Sequence, residues 1–321
     1  DFLLPDTGGI KDGYVKLSFN VEVPDMQVVQ TKAVDPDGGG VQQISVFCFD
    51  ANGLFITVTT AKVAGNASEL MLSGTFETSV PEHTVTLQLV GNQNLTYFRE
   101  ENYRGMSEVD VMASLEASAG RMIYWARETV ENISSYDSPS NSLKLLRNQA
   151  KISLNVDASK TDFQQKGWIV VNSNAFGTVA PYSPDHGGFV APTTSAPFVT
   201  LPENRAKLGD YLDVRSSTDE YIFETENSGD RQVSVIIKGH AAGMTEADDK
   251  YYRVVMQNSD GGNFMIRRNH HYNINITGAL TYGCKSFEEA LVSPATNNVW
   301  VAVDDWVSEV SFGSVTLAVD Q

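Results

Sequence analysis

The residues best placed to do chemistry are three side chains spaced two apart, Asp157, Ser159 and Thr161, in the segment DASKT. An aspartate followed by two hydroxyl residues at this spacing resembles the start of a metal-dependent adhesion site, where oxygen ligands suit a hard divalent cation. That site normally opens a helix after a strand, and no such strand–loop–helix pattern is evident here. We therefore expect a turn held by hydrogen bonds between local side chains and the backbone.

Two other acidic residues, Asp35 and Asp37, lie in a glycine-rich stretch typical of calcium-binding loops. An EF-hand requires a glutamate at its twelfth position, and the count from Asp35 reaches Val46. The spacing therefore excludes an EF-hand. These residues predict an exposed loop.

Neighbouring pairs of polar residues also fail as metal or catalytic sites. His270 and His271 are adjacent on a predicted strand, so their side chains point to opposite faces and cannot hold one ion together; the same holds for Asp304 and Asp305. No nucleophile elbow, zinc-protease motif or phosphate loop occurs. A glycosidase-like pair of distant carboxylates stays open, but 40 acidic residues single out no pair. The prediction is a non-enzymatic protein without a cofactor.

The composition of the chain excludes further classes of protein. The chain has 321 residues, 41% of them hydrophobic, and a formal net charge of −17. This charge argues against nucleic acid as a partner, because binding phosphates requires clustered lysine and arginine. Two cysteines exclude a disulfide framework, and Cys48 in ISVFCFD is expected to be a buried thiol.

Alternation of apolar and polar residues predicts strands throughout. The first is marked by Val15, Leu17, Phe19 and Val21 and stops at Pro24. Hairpins are predicted where turn residues join two such runs: Ile44–Phe49 with Leu54–Val58, and Tyr251–Met256 with Phe264–Thr277.

The helical signals are few and short. Ser107 with Asp110 predicts a capped helix ending by Gly120, and Ser286 with Glu289 predicts another. The segment Phe176–Pro202 is rich in Pro, Gly and Ser and is expected to be a surface loop with little to bury. The aromatic residues Trp125, Trp300 and Trp306 are expected to pack in a core or between domains rather than to bind sugars.

A polar stretch, Glu131–Ser142, lacks periodicity and predicts a domain boundary. The expected fold is all-β, with domains at residues 1–142 and 143–321. Each is predicted to be a β-sandwich, and a few short helices accompany them.

With the strands placed, the chain resembles the fimbrillin family of Bacteroidales, the subunits of their type V surface pili. The resemblance rests on VFCFDANG at Val46–Gly53, LLRNQAKISL at Leu145–Leu154, YIFETENS at Tyr221–Ser228, YYRV with FMIRRNHHYNINITG, and VWVAVDDW. The order and spacing of these segments carry the match, since none is a catalytic signature.

The resemblance implies two tandem transthyretin-like β-sandwich domains and a structural role in a cell-surface fimbrium. It further implies a lipoprotein precursor at the outer membrane, lipidated on a cysteine just upstream of Asp1. Proteolysis would then remove an N-terminal strand, and a strand from another pilin subunit would fill the groove. A host or bacterial surface ligand would be the other class of partner.

By this resemblance the removable strand is Tyr14–Val23, and the cleaved connector lies around Gln30–Val34. The family is typically cut at arginine, whereas this chain has Lys32 at the comparable place and no arginine before Arg99. The donor segment is marked by Val315, Leu317 and Val319. These three residues fit equally well as the last strand of their own sheet.

Two functions from different classes therefore remain. The first is a polymerising stalk or tip subunit of a pilus. The alternative is a surface lipoprotein of the outer membrane that binds glycans and does not polymerise.

Overall fold

The computed structural model describes residues 10–22, 41, 43–63, 73–118, 120–136, 143–184, 187–189, 210–215, 219–227, 232–257, 265–295, 297–305, 309–312 and 315–318.

Strands dominate the first half of the described chain. Their bounds, with that of the α-helix among them, are β1 Tyr14–Glu22, β2 Gln43–Phe49, β3 Phe55–Val63, β4 Ser73–Pro81, β5 Thr86–Gly91, α1 Glu108–Ala113, β6 Ala117–Ser118, β7 Tyr124–Thr129, β8 Leu143–Lys144 and β9 Leu146–Arg147. Short 3-10 helices lie at Glu100–Asn102 and Ile133–Ser135.

All of these strands except β6 form one eight-stranded sheet in the order β8-β1-β4-β3-β2-β5-β7-β9. The strands at its two ends, β8 and β9, are separated in the chain by Leu145 alone. The sheet must therefore roll up until its two edges meet. Inward-facing side chains from strands throughout the sheet pack together in one core. Its members include Leu17, Phe19, Val46, Phe76, Leu89 and Tyr124.

The second half is also built mainly of strands. The bounds are β10 Ala150–Val156, β11 Gln164–Val171, β12 Phe176–Gly177, β13 Tyr182–Ser183, β14 Gly188–Phe189, β15 Glu220–Ile222, β16 Ser234–His240, β17 Lys250–Gln257, β18 His270–Ile276, α2 Phe287–Val292, β19 Asn297–Asp305, β20 Glu309–Phe312 and β21 Val315–Ala318. A 3-10 helix lies at Glu246–Asp248.

Seven of these strands form a mixed sheet in the order β11-β16-β17-β19-β18-β10-β15. The predicted hairpin of Tyr251–Met256 with Phe264–Thr277 is wrong, because β19 lies between β17 and β18. It pairs in parallel with β17 and antiparallel with β18. The strands β17 and β18 are therefore not neighbours in the sheet. The second strand also starts later than predicted, at His270.

Local signals located other elements correctly. The hairpin of β2 and β3 has the predicted turn, where the Asp50 carboxylate accepts hydrogen bonds from the backbone N–H groups of Asn52 and Leu54. Both predicted N-caps are present, with Ser107 accepting from the Asp110 amide and Ser286 from the Glu289 amide. The first helix ends at Ala113, however, earlier than the predicted Gly120.

The segment expected to be a surface loop, Phe176–Pro202, is partly buried. Val179 and Ala180 pack with Trp125 and Phe223 in an apolar cluster that covers the outer face of β2, β5 and β7. The prediction failed because the apolar pair lies within a sequence otherwise rich in turn formers. The rest of the segment from residue 190 lies outside the described residues.

The all-β prediction is confirmed, since strands form both sheets and the two α-helices of the described chain have six residues each. The transthyretin-like detail and the domain limits 1–142 and 143–321 stay predictions. Residues 143–147 pair with the first sheet, and Ala150 begins β10 of the second.

Candidate functional site

Strand β1 is the candidate site, because it is held on both sides by pairing and joined to the later strands only through residues 23–40. All nine of its residues pair antiparallel with β4, from Tyr14 opposite Pro81 to Glu22 opposite Ser73. On its other side, Val21 and Glu22 pair in parallel with β8. A cut in the connector would leave β1 as a separate peptide held by non-covalent contacts alone.

The inward face of β1 explains why it stays in place. Leu17, Phe19 and Val21 are each 1% exposed, and Val15 packs against the same core from a half-buried position. The ring of Phe19 stacks on that of Phe76 with centroids 6.3 Å apart. Burying each such side chain stabilises the fold by about 1.5–3 kcal/mol. The predicted strand residues are thus the ones that anchor β1 to the core.

The outward-facing side chains of β1 contribute little to holding the strand in place. The Lys16 ammonium lies 3.5 Å from the Glu77 carboxylate, but both side chains are largely exposed. The Thr75 hydroxyl donates to the Asn20 side-chain oxygen over 2.6 Å, also at the surface. Exposed ion pairs contribute about 0–1 kcal/mol. Affinity for β1 therefore comes from its backbone ladder and its buried apolar residues.

Removing β1 would leave a groove with a definite chemistry. The backbone groups of β4 that pair with β1 would lose their partners, and Phe76 and Val80 would lose their cover. An exposed strand edge beside apolar pockets is a template for another extended segment. Any replacement must present apolar residues at alternate positions, as Leu17, Phe19 and Val21 do.

The other residues predicted for processing and donation are less fully described. Lys32 and Val319 lie outside the described residues. Val315 and Leu317 lie in β21, which pairs antiparallel with β20 so that Val315 faces Phe312 and Leu317 faces Val310. In this structure the described part of the candidate donor segment therefore pairs with the neighbouring strand of its own chain. Its role as a donor stays a prediction.

The candidate adhesion-site residues form the expected turn. The Asp157 carboxylate accepts hydrogen bonds from the backbone N–H and hydroxyl of Ser159, at 3.0 and 2.6 Å. These hydrogen bonds, together with Lys160, lower the pKa of Asp157. Thr161 donates its hydroxyl to the carbonyl of Gly278. Asp157 and Ser159 are thus held in a local turn, whereas Thr161 bonds to a distant loop.

The histidine pair is split as predicted. The His270 ring donates its Nδ1–H to the Arg268 carbonyl over 2.8 Å, whereas the Nε2 atom of His271 lies 2.6 Å from the Ser153 hydroxyl. The backbone of β19 places Asp305 opposite His270 and Asp304 opposite His271. Among the described residues, no group of three His, Cys, Asp or Glu side chains is arranged to hold a metal ion.

Cys48 is the buried thiol that the sequence predicted. Its side chain lies in the first core, and burial raises its pKa to about 12. A protonated, inaccessible thiol is a poor nucleophile. Both cysteines are free.

Sequence reasoning missed a buried ion pair beside the second sheet, where Glu224 follows β15 and Arg268 precedes β18. The Arg268 guanidinium lies 2.8 Å from the Glu224 carboxylate and donates to the Val179 carbonyl and the Thr178 hydroxyl, at 2.8 and 2.6 Å. Both charged side chains are at most 5% exposed. These bonds fasten the segment whose residue Val179 packs on the first sheet. Nothing in RRNHH or YIFETENS distinguishes buried charges from solvated ones.

No helix in the described parts of the chain is both long and apolar enough to cross a membrane.

The chain also matches a known protein family. The model of the family of Fimbrillin-A associated anchor proteins Mfa1 and Mfa2 matches residues 6–311. The chain belongs to this family. The match takes in both sheets, so the fimbrial resemblance stated from sequence segments is confirmed.

Individual relatives point the same way. The chain is 24% identical over 290 residues to the major fimbrium tip subunit FimE of Porphyromonas gingivalis, a match covering 87% of this chain and 50% of FimE. The chain therefore spans about half the length of that relative. The solved structure of the tip fimbrial protein Mfa3 of Porphyromonas gingivalis, truncated at its C-terminus, matches with a TM-score of 0.51 and 12% identity. It covers 91% of this chain and 100% of that one.

A similar fold occurs in a candidate cell adhesion protein of Parabacteroides distasonis, with a TM-score of 0.52 and 13% identity over 91% of this chain and 96% of that one. These relatives are fimbrial and adhesion proteins and not enzymes, which confirms the non-enzymatic prediction. Membership of the family implies a fimbrial subunit located at the cell surface.

Proposed function

We propose that this fimbrial subunit assembles by strand exchange, in which β1 is removed and an extended segment of a neighbouring pilin takes its place. The observation that carries the proposal is the position of β1, which pairs along its whole length, buries three apolar side chains and is joined to the later strands through a single connector. A strand of matching alternation can replace it without changing the rest of the core.

The donor in this proposal is the terminal segment with Val315, Leu317 and Val319. Val315 and Leu317 are two residues apart in β21, and Val319 continues this spacing in the sequence. That spacing matches the alternation of Leu17, Phe19 and Val21. Release of β21 from its pairing with β20 would make the segment available to a neighbour.

The proposed position in the fimbrium is the stalk or the tip, and the tip is the position that the names of FimE and Mfa3 give for those two proteins. Cleavage at Lys32 and export as a lipid-anchored precursor at the outer membrane belong to the same proposal and rest on the family resemblance. An adhesion ligand at the surface completes it. N-terminal sequencing of the subunit from assembled fimbriae should give Ala33 as the first residue, and Lys32→Ala should abolish that terminus.

Assembly can be tested with the full chain carrying a specific protease site within residues 23–40. After the cut, we expect the protein to form oligomers, measured by size-exclusion chromatography with light scattering. Leu317→Asp should block this by placing a charge in an apolar pocket. Leu212→Asp is the matched control, since Leu212 is 85% exposed, and it should still assemble.

Two results would contradict the proposal. The first is cut protein that stays monomeric while binding oligosaccharide, which would favour the non-polymerising glycan-binding lipoprotein. The second is equal assembly of the Leu317→Asp and Leu212→Asp variants, which would remove the terminal segment as the donor.

A further inference from the structure

The segment Leu143–Gln149, called the strap below, links the end of β1 to the second sheet through consecutive residues. Its first two residues, Leu143 and Lys144, pair in parallel with Val21 and Glu22 at the end of β1. Leu143 is buried in the same core as Val21. The end of β1 is thus both the backbone partner and the packing neighbour of the strap.

The middle of the strap is buried on both sides. Leu145 is fully buried in the core of the first sheet, whereas the next residue, Leu146, packs with Trp125 in the outer cluster. Leu146 also pairs with Trp125 through the backbone, as β9 joins β7. A shift of the strap would therefore disturb two apolar clusters at once.

The last residues of the strap, Arg147–Gln149, connect the two sheets through hydrogen bonds with Ile123 and Asn269. These contacts are called the joint below. The Arg147 amide donates to the side-chain oxygen of Asn269 over 3.1 Å, and the Asn269 amide donates to the Gln149 carbonyl over 2.9 Å. Between them, Asn148 exchanges two bonds with Ile123, from its amide to the Ile123 carbonyl at 2.9 Å and from the Ile123 amide to its side-chain oxygen at 3.1 Å.

These contacts continue without a gap into the second sheet. Asn269 lies between Arg268, which holds the buried ion pair, and β18. The residue after the strap, Ala150, opens β10, which pairs in parallel with β18 from Lys151 opposite His271 onwards. The contact of the strap with β1 and the joint are therefore linked by consecutive residues, each of which is paired or buried.

We propose that occupancy of the β1 position controls the stiffness of the joint, so that a subunit with an empty groove is loosely jointed and one with a filled groove is rigid. The inference rests on the proposed strand exchange. Loss of β1 removes the partner of Leu143 and Lys144, and with no slack in the strap the Arg147–Asn269 contacts open more often. A neighbour's strand in the same place restores them.

Hydrogen exchange on the uncut full chain tests the coupling directly. Val21→Ala should speed exchange at the amides of Arg147, Asn148 and Asn269 about tenfold, because it weakens the end of β1 that supports the strap. Leu17→Ala is the matched control. It is equally buried on the same strand and loses more apolar volume, but it pairs with Thr78 and not with the strap. It should change those rates no more than about twofold.

Equal acceleration by the two substitutions would overturn the inference, since it would indicate general destabilisation. So would unchanged exchange at the joint in Val21→Ala. This comparison needs neither cleavage nor exchange of strands, and it therefore decides the coupling even where the proposed function fails.

The second arm uses the full chain cut within residues 23–40 and freed of β1. Joint amides should exchange faster than in uncut protein and return to the uncut rates when a synthetic peptide of Tyr14–Glu22 is added, while Val235 and Ile237 of β16 stay constant. Native rates at the joint with faster exchange at Phe76 alone would overturn the inference. Failure of the peptide to rebind would instead count against strand exchange. Faster exchange at Val235 as well would mean wider unfolding, and the comparison of Val21→Ala with Leu17→Ala would then decide.

Discussion

Glu100 shows how a single carboxylate fastens a surface loop to the first sheet. Its oxygens accept hydrogen bonds from the Thr57 hydroxyl at 2.8 Å, the Val58 amide at 3.2 Å and the Arg104 guanidinium at 2.6 Å. Burial alone would raise its pKa, but these donors together outweigh burial and lower the pKa below the usual 4.5. The folded state therefore favours the ionised form.

We expect Glu100→Gln to reduce the free energy of unfolding by about 1–2 kcal/mol at neutral pH, because the charge-assisted hydrogen bonds are lost. A carboxylate whose pKa is lowered on folding contributes its full stability above the unfolded pKa and loses it as the pH falls through the folded pKa. The difference between wild type and variant should thus shrink below about pH 4.5. Urea titrations across this pH range measure it.

The control is Glu101→Gln, which changes an exposed neighbour by the same atoms. It should alter stability by no more than about 0.5 kcal/mol at any of these pH values. A difference for Glu100→Gln that does not depend on pH would contradict the assignment of the effect to the ionised carboxylate.

At the scale of residues, sequence reasoning succeeded where the argument was local. The opposite faces of His270 and His271 follow from strand geometry, and the Asp157 turn follows from the length of its side chain. It could not find the Arg268–Glu224 ion pair. These residues are far apart in the chain, and their burial depends on how the sheets meet.

The stability contributed by strand β1 comes mainly from its apolar face. Phe19→Ala should lower the free energy of unfolding by about 3–5 kcal/mol, since it removes a fully buried ring stacked on Phe76 and leaves a cavity. Lys16→Ala on the outward face should cost less than about 1 kcal/mol. Urea denaturation of the uncut chain compares them. Similar losses from both would mean that β1 is not held by its core face.

The two hairpin predictions show what local patterns can decide. Asp50 and Gly53 join β2 to β3 in a tight turn, so the pairing is local and was predicted correctly. The turn residues after Met256 are of the same kind, yet β17 and β18 pair with β19 on either side of it. The pairing depends on β19, a strand about 20 residues further along the chain, which no local signal reveals.

For the stability of the complete fold, breaking the buried pair Arg268–Glu224 should lower the free energy of unfolding more than breaking any surface ion pair. Arg268→Met removes the counter-charge of the buried Glu224 carboxylate and should cost about 3–5 kcal/mol. The double variant Arg268→Met with Glu224→Leu removes both charges and should recover much of that loss. Thermal unfolding of the two variants measures the difference, and equal destabilisation would exclude the ion pair as the cause.

The placement of β19 also affects the timing of folding. A polypeptide that leaves a ribosome or a secretion channel from its N-terminus presents β17 and β18 well before Asn297–Asp305 can enter between them. Until then the centre of the second sheet is open, and the long-range pairing that closes it must wait. In such a chain the first sheet, complete by Arg147, could close while the second sheet still lacks the strand that joins its two halves.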